Sequence, residues 1–144
     1  MKFKIEAICI SSQRGVQKIS VGEAMLVDNY GFKGDAHAGD WHRQVSFLAA
    51  EDIEEMEKKG LTLKPGAFGE NIVTRGIDWT QVTCGGKIFI GEAELEVTQI
   101  GKECHAPCAI YHSVGYCIMP ERGVFARVIK GGRINAGDIG YYRF

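Results

Sequence analysis

Among the residues able to do chemistry, Cys104 stands first. It lies in Gly101-Lys102-Glu103-Cys104-His105-Ala106-Pro107-Cys108, just ahead of a proline that suits the first position of a helix. Free N–H groups at a helix start and the Lys102 charge both favour thiolate, while Glu103 opposes it. A thiol in that setting can act as a nucleophile, carry sulfur or ligate a soft metal. If the helix begins early, Cys104, Cys108 and His112 share one face, and Cys117 would complete a zinc set. That set lacks Cys-x-x-Cys spacing. The competing reading makes Cys108 and Cys117 small core residues, with Cys9 in an apolar strand and Cys84 structural as well.

A second group of reactive types falls between Gly31 and Gln44. Three glycines, two aspartates, two histidines, Lys33 and Arg43 occupy these 14 residues. Glycine lets backbone N–H groups approach an anion, and Lys33 with Arg43 would complete a phosphate or carboxylate cradle. The spacing is neither a Walker loop nor a dinucleotide fingerprint. His37, His42, Asp35 and Asp40 could also hold a metal, although Asp-x-His is a weak signature. A solvated, turn-rich connection is the plain alternative. A third segment, Pro65 to Val73, sets two glycines before Glu70 and Asn71. Asn71 offers a donor and an acceptor together, the complement of a heterocycle edge, or it caps its own turn.

The elements that must position these groups are mostly strands. Alternation marks Phe3-Ile5-Ala7 and Ala93-Leu95-Val97, and short apolar runs mark 24–27, 45–49, 87–90, 124–129 and 139–144. Gly91-Glu92 reads as a hairpin tip. One helix is expected over 50–60, with acids in its first turn, lysines in its last, and Gly60 as a cap. A second is expected from Pro107 to near Gly115. Nineteen glycines and three prolines in 144 residues suit many tight turns. Together these argue for a mainly β fold, a small closed or partly open β-barrel with about two short helices, formed as one domain over 1–144.

Composition narrows the partners. Seventeen Lys plus Arg against 18 Asp plus Glu give a net charge of -1, so no global field favours nucleic acid or an anionic membrane. No run is long and apolar enough to span a bilayer, and the N-terminus does not read as a signal peptide. Five cysteines, an odd number, read as reduced thiols, and a cytoplasmic location is expected.

The motifs Gly34-Asp35-Ala36-His37-Ala38-Gly39, Arg43-Gln44-Val45, Phe68-Gly69-Glu70-Asn71-Ile72, Val97 to His105 and Gly137-Asp138 occur in an order that resembles the MOSC domain. This is the C-terminal domain of molybdenum cofactor sulfurases, here standing alone, and the resemblance covers nearly the whole chain. It implies a MOSC β-barrel, pyruvate-kinase-barrel-like, that binds molybdenum cofactor (molybdopterin), a pterin with a dithiolene and a phosphate. With that ligand, the residue chemistry above leads us to expect cofactor contacts from Lys33, Gly34, Asp35, His37, Gly39, Arg43, Gln44, Glu70, Asn71 and Lys102, with Glu70 and Asn71 opposite the thiol. The family's functional cysteine falls on Cys104, as a persulfide carrier or, as in related amidoxime-reducing enzymes, a molybdenum ligand.

The full sulfurases carry a pyridoxal-phosphate domain for which this chain has no room, so no pyridoxal phosphate is expected. Sulfur would come from a separate cysteine desulfurase, with a molybdoenzyme as the other expected partner. The alternatives are a free-standing molybdoenzyme that reduces N-hydroxylated compounds and a structural zinc-binding interaction module.

Overall fold

The structure, a computed structural model, describes residues 1–102, 114–115 and 117–144. Cys104, Cys108, His112 and residues 107–113 of the expected second helix lie outside the described residues. In chain order the strands are β1 (Lys2–Ile10), β2 (Ile19–Val21), β3 (Glu23–Val27), β4 (Gly31–Phe32), β5 (Val45–Ala49), β6 (Ile72–Arg75), β7 (Lys87–Ile90), β8 (Ala93–Ile100), β9 (Val124–Lys130), β10 (Gly132–Asn135) and β11 (Ile139–Arg143). Helices α1 (Ala50–Glu57) and α2 (Met119–Arg122) and a 3-10 turn (Trp79–Gln81) complete the described elements.

Seven strands form a closed ring in the order β11-β7-β8-β9-β5-β6-β1, with β1 pairing back onto β11. The seam is antiparallel, Lys2 opposite Tyr141 and Lys4 opposite Ile139. The barrel is mixed, because β5 and β6 run parallel across the α1 connection. Closure removes the exposed edges an open sheet would carry. β2 pairs on the outside of β1, while β10, β3 and β4 form a separate small sheet. The mainly β barrel expected from glycine and strand periodicity is the observed fold.

Alternation decides which side chains fill the ring. In β1, Phe3 and Ile5 are buried between exposed Lys2, Lys4 and Glu6, and they join Phe47, Ile72, Ile88, Leu95 and Tyr142 in the barrel core. Trp79 closes one end, its ring 5.8 Å from Phe3 and 5.4 Å from Phe47, a tilted geometry that stabilises beyond area burial alone. β5 is buried on both faces. Its Val45, Phe47 and Ala49 point into the ring, and Leu48 joins a second cluster with Ile53 and Met56 of α1. These two residues lay the helix against the barrel wall.

The helix stops sooner than the sequence suggests. α1 ends at Glu57 with Lys58 as its C-cap, so no lysine lies in its last turn. Gly60 follows in the left-handed region, with its N–H bonded to the Glu57 carbonyl. Short α2 was not anticipated, nor were β2, β4 and β10, whose two to four residues carry too little alternation to read. Cys9 is fully buried as expected, and Cys117 packs against the second cluster. Cys84, expected to be structural, is instead exposed. Among the described residues, no helix is long and apolar enough to cross a membrane.

Candidate functional site

The glycine-rich connection from β4 to β5 folds over the barrel end as a series of tight turns. Gly31 occupies φ +121°, and a Cβ there would lie 2.9 Å from the Gln44 carbonyl oxygen, so both ends of the connection are held in contact. The returning end is also clipped to β8. The His42 Nε2 lies 2.8 Å from the Gln99 Oε1, and the Thr98 hydroxyl donates to the His42 carbonyl. Gln99 donates to the Gly101 carbonyl at 2.7 Å, while the Gly101 and Lys102 N–H groups bond the Gly123 and Pro120 carbonyls. The stretch that leads toward Cys104 is therefore fixed as far as Lys102.

Trp41 is the hub of this end. The Arg43 guanidinium lies 4.7 Å from its ring centre and that of Arg14 lies 5.0 Å away. The His37 ring stacks on it at 6.5 Å and 10°, and His42 meets it edge-on at 5.6 Å. Its indole N–H donates to the His37 carbonyl at 2.6 Å. Arg43 also faces Phe125 at 5.7 Å. The Arg43 Nε is buried and has no hydrogen-bond partner among the described residues. A buried charged donor without a partner is costly. Beside it opens a cavity of about 600 Å³ lined by His42, Arg43, Gln99, Ile100, Gly101, Lys102 and Pro120.

Beneath the hub lies a buried ion pair. Lys18 Nζ is 2.7 Å from Asp35 Oδ1, with side chains 1% and 0% exposed. The same carboxylate accepts the Ser11 and His37 N–H groups at 3.0 and 3.2 Å. Lys18 Nζ also lies 2.9 Å from His37 Nδ1. Burial, then the Lys18 charge, lowers the His37 pKa to about 4; Asp35 acts the other way, and Arg14 and Lys102 add to the lowering. The site end of the barrel is cationic even though the whole chain is not.

The expected contact residues divide in three. Arg43, Lys102, His37 and Gly39 are half-buried around the hub or its cavity, whereas Lys33 and Gly34 are exposed and do not line that cavity. The other four are enclosed. Asp35 is held by Lys18. Gln44 accepts the Val128 N–H at 2.9 Å and donates to Asn29 at 3.1 Å, tying β5 to β9. Glu70 is 0% exposed and accepts the Gly66 and Phe68 N–H groups, and burial raises its pKa.

Asn71, also 0% exposed, accepts from the Ser46 N–H and hydroxyl and donates to the Cys9 carbonyl. Its amide is thus spent on joining β1, β5 and β6. His37, His42, Asp35 and Asp40 do not gather into a metal-binding group among the described residues. Arg14, Lys18 and Trp41 escaped the sequence reading. Only the crowding of charge near Trp41 could have drawn attention to the tryptophan, and nothing local ties Lys18 to Asp35.

A barrel closed in this way, with a cationic loop cluster leading toward a cysteine, defines a class, and comparison with known proteins names it. The model of the MOSC domain matches residues 34–139, and the chain belongs to that family, which is linked to molybdenum cofactor binding and sulfuration. Among solved structures, YuaD from Bacillus subtilis superposes with a TM-score of 0.83 at 20% identity, over 100% of this chain and 97% of that one. YiiM from Escherichia coli gives 0.70 at 22%, over 100% and 70%, and YiiM from Geobacillus stearothermophilus 0.74 at 19%, over 99% and 75%. At these identities the likeness is one of fold. No curated protein matches the chain.

Proposed function

We propose that this protein binds molybdenum cofactor at the Trp41 end of the barrel and acts in its sulfuration, transfer or use, with Cys104 as the reactive thiol. The buried Arg43 Nε, without a partner among the described residues and beside an open cavity, carries the reading. A guanidinium held with a free donor suits an oxyanion, and Arg14 and Lys102 supply further positive charge. Arg43 and Lys102 would hold the cofactor's phosphate, and His37 would add a neutral hydrogen bond. Bound, the cofactor supplies a redox-active molybdenum held by dithiolene sulfurs. The enclosed residues Asp35, Gln44, Glu70 and Asn71 serve by fixing the loops that present these groups.

Cys104 follows Lys102, which lines the cavity, by two positions in the sequence. As a carrier it would attack the persulfide of a cysteine desulfurase, taking its outer sulfur and returning a thiolate to the donor. Purification from a cofactor-replete host followed by molybdenum and zinc analysis tests the reading. Molybdenum lost in Arg43→Ala supports it, and a gain of about 32 Da on Cys104 after incubation with a desulfurase and cysteine identifies the carrier. Molybdenum with turnover of N-hydroxylated compounds, lost in Cys104→Ser, identifies a reductase instead. Zinc alone, or no metal at all, overturns the assignment.

A further inference from the structure

We infer that Lys18 locks His37 as its Nε2–H tautomer, making Lys18 a positioning residue and His37 a neutral hydrogen-bond donor at the anion site. The role toward an anion rests on the proposed function; the tautomer does not.

The argument begins with donor counting. The Lys18 ammonium has hydrogens to give and no lone pair to receive. Its Nζ stands 2.7 Å from Asp35 Oδ1 and 2.9 Å from His37 Nδ1, so at each contact it donates. Nδ1 must then carry the lone pair, and the ring proton must sit on Nε2. A protonated ring would set N–H against N–H. The second Asp35 oxygen is 4.0 Å from Nδ1, beyond hydrogen-bond reach, and is engaged by the His37 backbone N–H instead.

The surroundings hold that state. Lys18, Arg14 and Lys102 oppose a positive ring and Asp35 alone favours one. The ring stacks on Trp41, whose indole N–H is bonded to the His37 carbonyl, so both ring and backbone pack at this hub. Lys18 itself is fixed by its own backbone. Its N–H bonds the Gly66 carbonyl at 2.9 Å, and its side chain is 1% exposed. The buried lysine therefore directs Nε2–H away from the interior, on a side chain that is 29% exposed.

A neutral donor between cations has a definite chemical use. It fits an oxygen of a fully ionised oxyanion whose charge the guanidinium already balances. It also cannot serve as a metal ligand through Nδ1, since that lone pair is occupied. Nitrogen-15 NMR of the unaltered protein should show His37 protonated at Nε2 alone from pH 6 to pH 8. A proton on Nδ1, or an imidazolium at pH 7, would overturn the lock.

Lys18→Met should mix the tautomers. Because that change strands the buried Asp35, the double variant Lys18→Met with Asp35→Asn provides the same test without the stranded charge. For the anion role, inorganic pyrophosphate serves as the probe in calorimetry. His37→Leu should weaken it ~3–10-fold, the range of one neutral hydrogen bond, and His37→Gln, which keeps an N–H donor, should recover most of the loss. Equal affinity in His37→Leu would overturn the donor role. Pyrophosphate that fails to bind the unaltered protein, with the Nε2–H tautomer present, would overturn the anion site and leave the lock standing.

Discussion

The Arg43 guanidinium sits 4.7 Å from the Trp41 ring centre, with its Nε buried and without a hydrogen-bond acceptor among the described residues. The ring supplies a face for the cation but no acceptor lone pair, so the contact positions the arginine without satisfying it. Arg43→Ala is therefore expected to weaken pyrophosphate binding by about 1.5–3 kcal/mol while leaving the circular dichroism spectrum unchanged. Arg43→Lys should recover only part of the loss, because a point charge replaces a planar fork. Unchanged affinity in Arg43→Ala would take the residue out of the site.

The cysteines should separate sharply by reactivity. Cys9 is 0% exposed, and burial, with Glu70 adding to it, pushes its pKa up to about 12. Cys84 is exposed. In native protein near neutral pH, iodoacetamide should modify Cys84 and leave Cys9 intact until the chain unfolds, as read by peptide mass mapping. Cys104, if it is the functional thiol, should react faster than Cys84. Native labelling of Cys9 would contradict the burial.

The turn carrying Gly66 should tolerate no side chain. Gly66 has φ +90°, and a Cβ would stand 2.2 Å from the Lys18 carbonyl oxygen. Gly66→Ala combines left-handed strain with a backbone clash and should cost on the order of 3 kcal/mol, measured by urea unfolding. Glu70→Ala removes the acceptor for two buried N–H groups of the same turn and should cost about 1–3 kcal/mol.

Stability should fall on mild acidification, partly through His37. Its native pKa of about 4 lies below the ordinary 6.5, so between these values the unfolded chain binds the extra proton. Stability gained from this group is full above pH 6.5 and is lost as the pH drops toward 4. Thermal midpoints of His37→Gln should therefore decline less steeply across that window than those of the unaltered protein. Parallel declines would show that His37 titrates normally.

What could be read from the chain follows from how local each signal is. β5 and β7 have the boundaries that their apolar runs predict, because a short run between turn residues carries its own limits. The Gly91-Glu92 hairpin tip is legible for the same reason. Asn71 and Glu70 were not. An amide or carboxylate beside glycines looks the same whether it faces a ligand or an orphaned backbone N–H, and here Glu70 accepts from its own turn and Asn71 from Ser46 of β5. Lys18 gave still less sign. Its partner Asp35 is 17 residues away, across β2, β3 and β4, and only the folded chain brings them together.

The seam between β1 and β11 has a kinetic consequence. The β7–β8 hairpin pairs residues as close as Ile90 and Ala93, so it can form early and alone. The ring closes only when Lys2 finds Tyr141 at the opposite end of the sequence. Joining such distant segments takes a large loss of chain freedom before any contact returns it, and folds of this kind sit at the slow end of the two-state range. Closure also waits on β11, which follows every other strand of the ring in the sequence. Until then β1 is an apolar strand with an unpaired side, and this interval is when the protein is most open to aggregation.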